Sequence, residues 1–238
     1  MTRIISRDWR IEFPVDVKAL LFDEIDSTNT FLKEHADQNG EHLTIAVTKT
    51  QTAGRGRGDR TWISSEGNVF WSILLRPEKK WPSLSSLPQI LALAVKRTLA
   101  EIVGSSERLK IKWPNDVILD EMKVSGMLLE TCSRQASGDC HPIEWCVAGI
   151  GINVSQHPEG NMNYAATDLH ACGVEGVTRD QVIQAMSKEI VGLIQLWSTE
   201  GFSCLKNEVE SSLAFMGEKI DVAISTNRDL RRQGTLLK

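Results

Sequence analysis

Two apolar segments of the chain are separated by Gly54-Arg55-Gly56-Arg57-Gly58-Asp59-Arg60-Thr61-Trp62, which interrupts any regular element. Its glycines let the backbone take positive φ and come close to a ligand, and successive N–H groups can form an anion-binding nest. Its arginines supply permanent charge and forked donors for phosphate or carboxylate, and Trp62 supplies a flat face for stacking. A solvated surface loop, or a glycine–arginine nucleic-acid contact, would share parts of the pattern. The segment is single, however, and lies between strands in a chain with 27 Lys and Arg against 31 Asp and Glu, a net charge of −4. Broad affinity for nucleic-acid phosphate would need a surplus of cations. An anion-binding loop is the reading that fits.

Apolar periodicity places the loop among strands. Val17–Ile25 and Leu43–Lys49 alternate as strands, and Asn68–Leu75 reads as a buried one. Between the first two, Asp26-Ser27-Thr28-Asn29 offers N-caps for a helix to about Ala36. Leu84 to Val103 repeats at helical spacing, as does Thr178–Trp197. Leu109–Trp113, Val117–Leu119, Lys123–Thr131 and Trp145–Val154 are further strands, with Ser133–Pro142 a loop. Gly217–Ile224 and Gln233–Leu237 are short strands after a change of character near Leu213. The expected fold is α+β, a mixed β-sheet packed against helices over residues 1–212. Residues 213–238 then form a small β module too short to bury a core alone.

Other segments carry possible chemistry. In Lys112-Trp113-Pro114-Asn115-Asp116 the proline holds a polar pair at a strand end; a plain turn would need no more, but Lys112 brings a cation beside the carboxylate. Lys123, opening Lys123-Val124-Ser125-Gly126-Met127-Leu128-Leu129-Glu130, could aim an ammonium into a pocket thinned by Gly126, or simply protect a sheet edge. Period-two alternation puts Gly149, Gly151 and Asn153 on one strand face, where a flat ligand or a tightly packed helix could approach. Ser27-Thr28-Asn29 caps a helix or binds a polar heterocycle. No nucleophile elbow stands out. Cys132, Cys140, Cys146, Cys172 and Cys204 form no C-x-x-C pair, and with scattered histidines they suggest reduced thiols and no protein-held metal. Neither a signal peptide nor an apolar span is visible, so a cytoplasmic protein without membrane contact is expected, with an organelle as the alternative.

In order, STN, QTAGRGRGDRTW, KWPND, KVSGMLLE and GIGINV resemble the catalytic core of the biotin–protein ligases, over roughly Ser27 to Val154. The resemblance implies a class II synthetase-like catalytic domain followed by an SH3-like module, here incomplete. It implies activation of biotin with MgATP to biotinyl-5′-AMP, then transfer to a lysine of a biotin carboxyl carrier domain. Ser27, Thr28, Asn29 and Gln51 would hold biotin, with Gly54, the Arg55 backbone, Gly126, Gly149 and Gly151 lining the pocket. Arg57 and Lys123 would meet the carboxylate and α-phosphate, and Arg55 and Arg60 would order the loop over the adenylate. Trp62 would pack on adenine and Asn153 would read its amino edge. Lys112, Asn115 and Asp116 would lie near the phosphates, the magnesium and the incoming lysine. Only about 26 residues precede Ser27, leaving no room for a DNA-binding domain, so no DNA partner is expected; a homodimer is compatible. The rivals are a lipoate–protein ligase, an inactive biotin-binding relative, and a non-catalytic nucleic-acid-binding module.

Overall fold

The computed structural model describes residues 9–58, 60–78, 80–133, 143–159, 164–223 and 231–236. Cys140 and most of the expected 133–142 loop lie outside them. The chain opens with β1 (Lys18–Ile25), α1 (Thr28–Asp37) and β2 (Thr44–Gln51), a crossover that leaves β1 and β2 parallel. Then come β3 (Val69–Leu75), α2 (Leu87–Val103), β4 (Leu109–Lys112), β5 (Asp116–Leu119), β6 (Met122–Ser133) and β7 (Ile143–Ile152). All their pairings are antiparallel, and one seven-stranded mixed sheet results, in the order β1-β2-β3-β7-β6-β5-β4. Helices α3 (Arg179–Glu200) and α4 (Lys206–Ser212) and the hairpin β8 (Lys219–Ala223)–β9 (Arg231–Thr235) complete the described chain.

The two faces of the sheet are covered differently. Helices α2 and α3 bury Ile90, Leu91, Ile183 and Ile190 against Trp71, Ile73, Ala148 and Ile150 in the main core. On the opposite face, α1 seats Phe31, Leu32 and Ala36 on Phe22, Ala46, Leu74 and Val147. Helix α1 covers only one end of that face, and the remainder holds the polar residues described below. Two indole N–H groups are satisfied inside the main layer: Trp71 Nε1 donates to Ser187 Oγ at 3.0 Å, and Trp197 Nε1 to Ser86 Oγ at 2.9 Å. Cys146 lies in the same core, where burial pushes its thiol up to about 12.

Local differences from the sequence expectation have physical causes. The Leu84–Val103 helix is split, because Leu84–Ser86 forms a tighter 3-10 turn and α2 begins at Leu87, with Pro88 in its first turn. Strand β4 stops at Lys112 because Trp113 and Pro114 enter the turn into β5. Asn68 lies just outside β3, and its Oδ1 accepts the N–H groups of Val154, Ser155 and Gln156 at 2.8, 3.1 and 3.3 Å. Ser27 occupies the N-cap position of α1, yet its side chain makes no capping bond. Gln51 Oε1 accepts from the Thr28 amide instead, at 2.9 Å. Near the expected boundary at 212/213, the Ala214 amide donates to Ile111 O of β4 at 2.9 Å, so the chain there still borders the sheet. Among the described residues, no helix is long and apolar enough to cross a membrane.

Replacing Ser187 by alanine strands the Trp71 indole N–H in a dry core, and a buried donor without a partner costs about 1–3 kcal/mol. Urea unfolding of Ser187→Ala is expected to give a loss of that size with an unchanged m-value.

Candidate active site

A single cross-strand row forms the floor of the open face. Lys112 pairs with Asp116, Asp116 with Gly126, Gly126 with Gly151, and Gly151 with Phe70. Paired residues point the same way, so this row presents a cation, a carboxylate, two bare backbone positions and a ring. A register shift between Val117 and Ile118 swings Lys123 onto the same face. There its ammonium lies 2.7 Å from Asp116 Oδ1.

The glycines are required because something rests on them. A Cβ at Gly151 would fall inside 3 Å of the Trp62 indole, and a Cβ at Gly126 would meet the same ring at 3.0 Å and Lys123 Nζ at 2.9 Å. Asn29 stands in the same way over Gly149. Trp62 therefore lies flat against the β6–β7 backbone, with Lys123 Nζ 5.4 Å from its ring centroid.

The segment around Trp62 is a hairpin with a paired stem. Trp62 N donates to Gly54 O at 3.1 Å, Arg55 bridges Thr61, and Gly56 N donates to Arg60 O at 2.8 Å. Gly58 turns the tip with φ 68, and Arg57 and Arg60 are exposed. Arg55 points from the stem towards the sheet, where its Nη1 lies 2.9 Å and 3.0 Å from the two carboxylate oxygens of Glu130.

Behind the hairpin, polar side chains form a continuous chain. Gln51 Oε1 takes the Thr28 amide, and Gln51 Nε2 donates to Ser64 Oγ at 3.0 Å. Ser72 Oγ lies 2.6 Å from both Thr28 Oγ1 and Asn29 Oδ1. Asn29 Nδ2 donates to Glu130 Oε2 at 3.0 Å. Ser27, Thr28 and Asn29 are all buried at this end of α1. Two other expected site residues also make bonds within the protein. Asn115 Nδ2 donates to Met127 O at 2.7 Å, while Asn153, 3% exposed, donates from Nδ2 to Thr167 O at 2.9 Å. Asn153 thus holds the segment that pairs with Lys123, whose amide donates to Ala165 O at 2.8 Å.

Sequence reasoning did not single out Ser64, Ser72, Lys33, Tyr164 or Glu130. Glu130 had a signal: it shares a strand face with Gly126 and Leu128. Tyr164, the chain's single tyrosine, had none; its ring lies 2.9 Å beneath Lys112 Nζ. Burial most strongly lowers the proton affinity of Lys112; Asp116 opposes this, and the charges of Lys123 and Arg60 lower it further. Among the described residues, no three His, Cys, Asp or Glu side chains converge to hold a metal. A cavity of about 850 Å³, lined by Arg10, Ser155, Thr178 and Lys188 among others, shares no residue with this floor.

Fold and floor together define a class: a mixed sheet whose glycine-lined face is covered by a cationic hairpin beside a helix N-terminus. The profile of the biotin/lipoate A/B protein ligase family matches residues 21–164, and the chain belongs to that family. It is 35% identical over 188 residues to the bifunctional ligase/repressor BirA of Bacillus subtilis, covering 77% of this chain and 56% of that protein. The chain thus spans little more than half the length of that relative. It is 32% identical over 200 residues to the biotin–[acetyl-CoA-carboxylase] ligase of Paracoccus denitrificans, covering 82% and 80% of the two chains. The biotin protein ligase of Aquifex aeolicus in complex with biotin and ATP superposes with a TM-score of 0.76 at 31% identity, covering 92% of this chain and 86% of that one.

Burial disfavours ionisation of Glu130, but hydrogen bonds from Lys33 and Asn29 and the charges of Arg55 and Lys33 outweigh it, holding the carboxyl below the usual glutamate range. A carboxyl depressed in the folded state stabilises above its unfolded pKa of about 4.3, and the contribution disappears as pH falls through the folded value. Wild type is therefore expected to be more stable than Glu130→Gln at pH 7 and to lose that margin below about pH 4. Urea unfolding of both proteins across that range checks it; a margin independent of pH would refute it.

Proposed function

We propose that this chain is a biotin–protein ligase that makes biotinyl-5′-AMP from biotin and MgATP and passes the biotinyl group to a lysine of a biotin carboxyl carrier domain. The observation that carries the reading is the glycine floor between Lys123 and the arginine hairpin. The Trp62 indole lies on that floor and cations stand at its edges, as two mutually repelling anions require if they are to react. In the first step a biotin carboxylate oxygen bonds to the α-phosphorus, and the bond to pyrophosphate breaks. In the second, the lysine amine attacks the acyl carbon, loses its proton, and AMP leaves. Neither step needs an enzyme nucleophile.

Within this reading Ser27, Thr28, Asn29 and Gln51 address the ring system of biotin, beside Gly54 and the row in which Trp62 lies over Gly126 and Gly151 and Asn29 over Gly149. Lys123 and Arg57 neutralise carboxylate and α-phosphate, and Trp62 and Asn153 border the adenine. Arg55 and Arg60 order the hairpin, whose closure shields the mixed anhydride from water. Lys112 and Asn115 lie on the phosphate side, where magnesium arrives as part of the nucleotide near Asp116. Asp116 also accepts the proton of the acceptor lysine, held in place by Lys123. We further take residues 1–212 as the catalytic domain and 213–238 as part of a C-terminal β module. The cytoplasm is the proposed compartment, and the exposed edge of β1 admits a homodimer.

Biotin-dependent ATP–pyrophosphate exchange tests the reading. Exchange is expected with biotin and not with lipoate or without acid; exchange with lipoate alone would assign the other branch of the family, and none with either would sink the proposal. Asp116→Asn is expected to slow biotin transfer from preformed adenylate roughly a hundredfold, within the range for a lost general base. A normal transfer rate would remove Asp116 from that role.

A further inference from the structure

Glu130 sits where three parts of the molecule meet. It projects from β6 on the ligand face, with its side chain 16% exposed. Lys33 and Asn29 reach it from α1, with Lys33 Nζ 2.7 Å from Oε1 and Asn29 Nδ2 3.0 Å from Oε2. Arg55 reaches it from the hairpin stem. One carboxylate therefore compensates two cations, and removing it leaves both without a counter-charge in a half-buried setting, which is the costly event for such a pair.

The position of Arg55 within the hairpin gives this contact its consequence. Arg55 lies in the paired stem, one residue from Gly54 and opposite Thr61, and Arg60 closes that stem through the bond from Gly56 N to its carbonyl, whereas Arg57 belongs to the tip. Fixing Arg55 fixes the stem, and with it Trp62 on the glycine floor, and leaves the tip to move. The same contact keeps the Arg55 guanidinium directed at the sheet, away from anions bound on the floor. Without the carboxylate, Lys33 and Arg55 would repel one another and Arg55 would be free to compete with Arg57 for those anions.

Resting on the adenylating reading above, we propose that Glu130 is a positioning residue: by holding Arg55 it anchors the stem of the arginine hairpin, and this anchor governs how long the acyl-adenylate is retained. It touches no reacting atom. Its effect belongs to the lifetime of the closed state and to the KM for biotin, and not to the rate of phosphoryl attack.

The experiment follows release of radiolabelled biotinyl-5′-AMP, formed in place by the full chain, together with the kcat and KM of pyrophosphate exchange. Glu130→Gln is expected to speed release and raise the biotin KM roughly tenfold, the scale of a lost charge-assisted bond, with kcat within about twofold. Lys33→Gln, which removes a partner of the same carboxylate but not the tie to the hairpin, is expected to release adenylate within about twofold of wild type. In an Arg55→Met background, Glu130→Gln should add nothing, because the two residues act through one contact. Arg55→Met alone reports on the same tie if Glu130→Gln fails to fold.

Wild-type retention in Glu130→Gln would overturn the inference. So would a full effect persisting in the Arg55→Met background, or equal leakage from Lys33→Gln. A wild-type chain that makes no adenylate would instead refute the reading on which the inference rests.

Discussion

The site depends on the pairing of Gly126 with Gly151, two residues that contribute no side chain at the centre of a seven-stranded sheet. Glycine in a strand interior sacrifices packing and backbone entropy, and here that sacrifice lets an indole ring lie directly on main chain. Any larger residue at either position would lift Trp62, and with it the hairpin stem hydrogen-bonded through Gly54. Helices α2 and α3 supply the rigidity that compensates on the other face, where the same strands present Ala148, Ile150 and Met127 to a continuous apolar core.

Charge on the open face is arranged around two carboxylates, each shared by two cations. Lys123 is held by Asp116, Arg55 and Lys33 by Glu130, and Lys112 lies over Tyr164 with Asp116 as its strand partner. Arg57, at the tip, and Arg60, at the end of the stem, are exposed. A site arranged this way keeps some positive charge fixed against the sheet and some on a segment that can travel with a ligand. Fixed donors lower a barrier only if they need not reorganise, whereas travelling ones exclude water after entry.

Short-range rules made much of this legible. Apolar alternation and, for β3, a continuous apolar run located the strands β1–β7 to within a residue or two, because most strands bury one face fully and β3 buries both. Period two correctly put Gly149 and Gly151 on one face, each with a side chain over it. The same rule carried on to Asn153, which lies one residue past the end of β7 and donates from Nδ2 to Thr167 O. Capping propensity offered Asp26-Ser27-Thr28-Asn29 as N-caps; Ser27 takes that position without a side-chain bond, and the first helical amide is answered by Gln51 from β2. The meeting of Lys33, Asn29, Arg55 and Glu130 was illegible for a simpler reason. Glu130 is 97 residues from Lys33 and 75 from Arg55, and no local pattern encodes an encounter of that separation.

Helix α1 is only 10 residues long, below the roughly 12–15 at which isolated helices hold together in water. Its first amide is answered by Gln51, 23 residues further along the chain, at the far end of β2. The helix is therefore marginal on its own and draws its stability from the strands it packs on, so a change at Gln51 or along β2 would loosen the wall of the pocket together with the sheet.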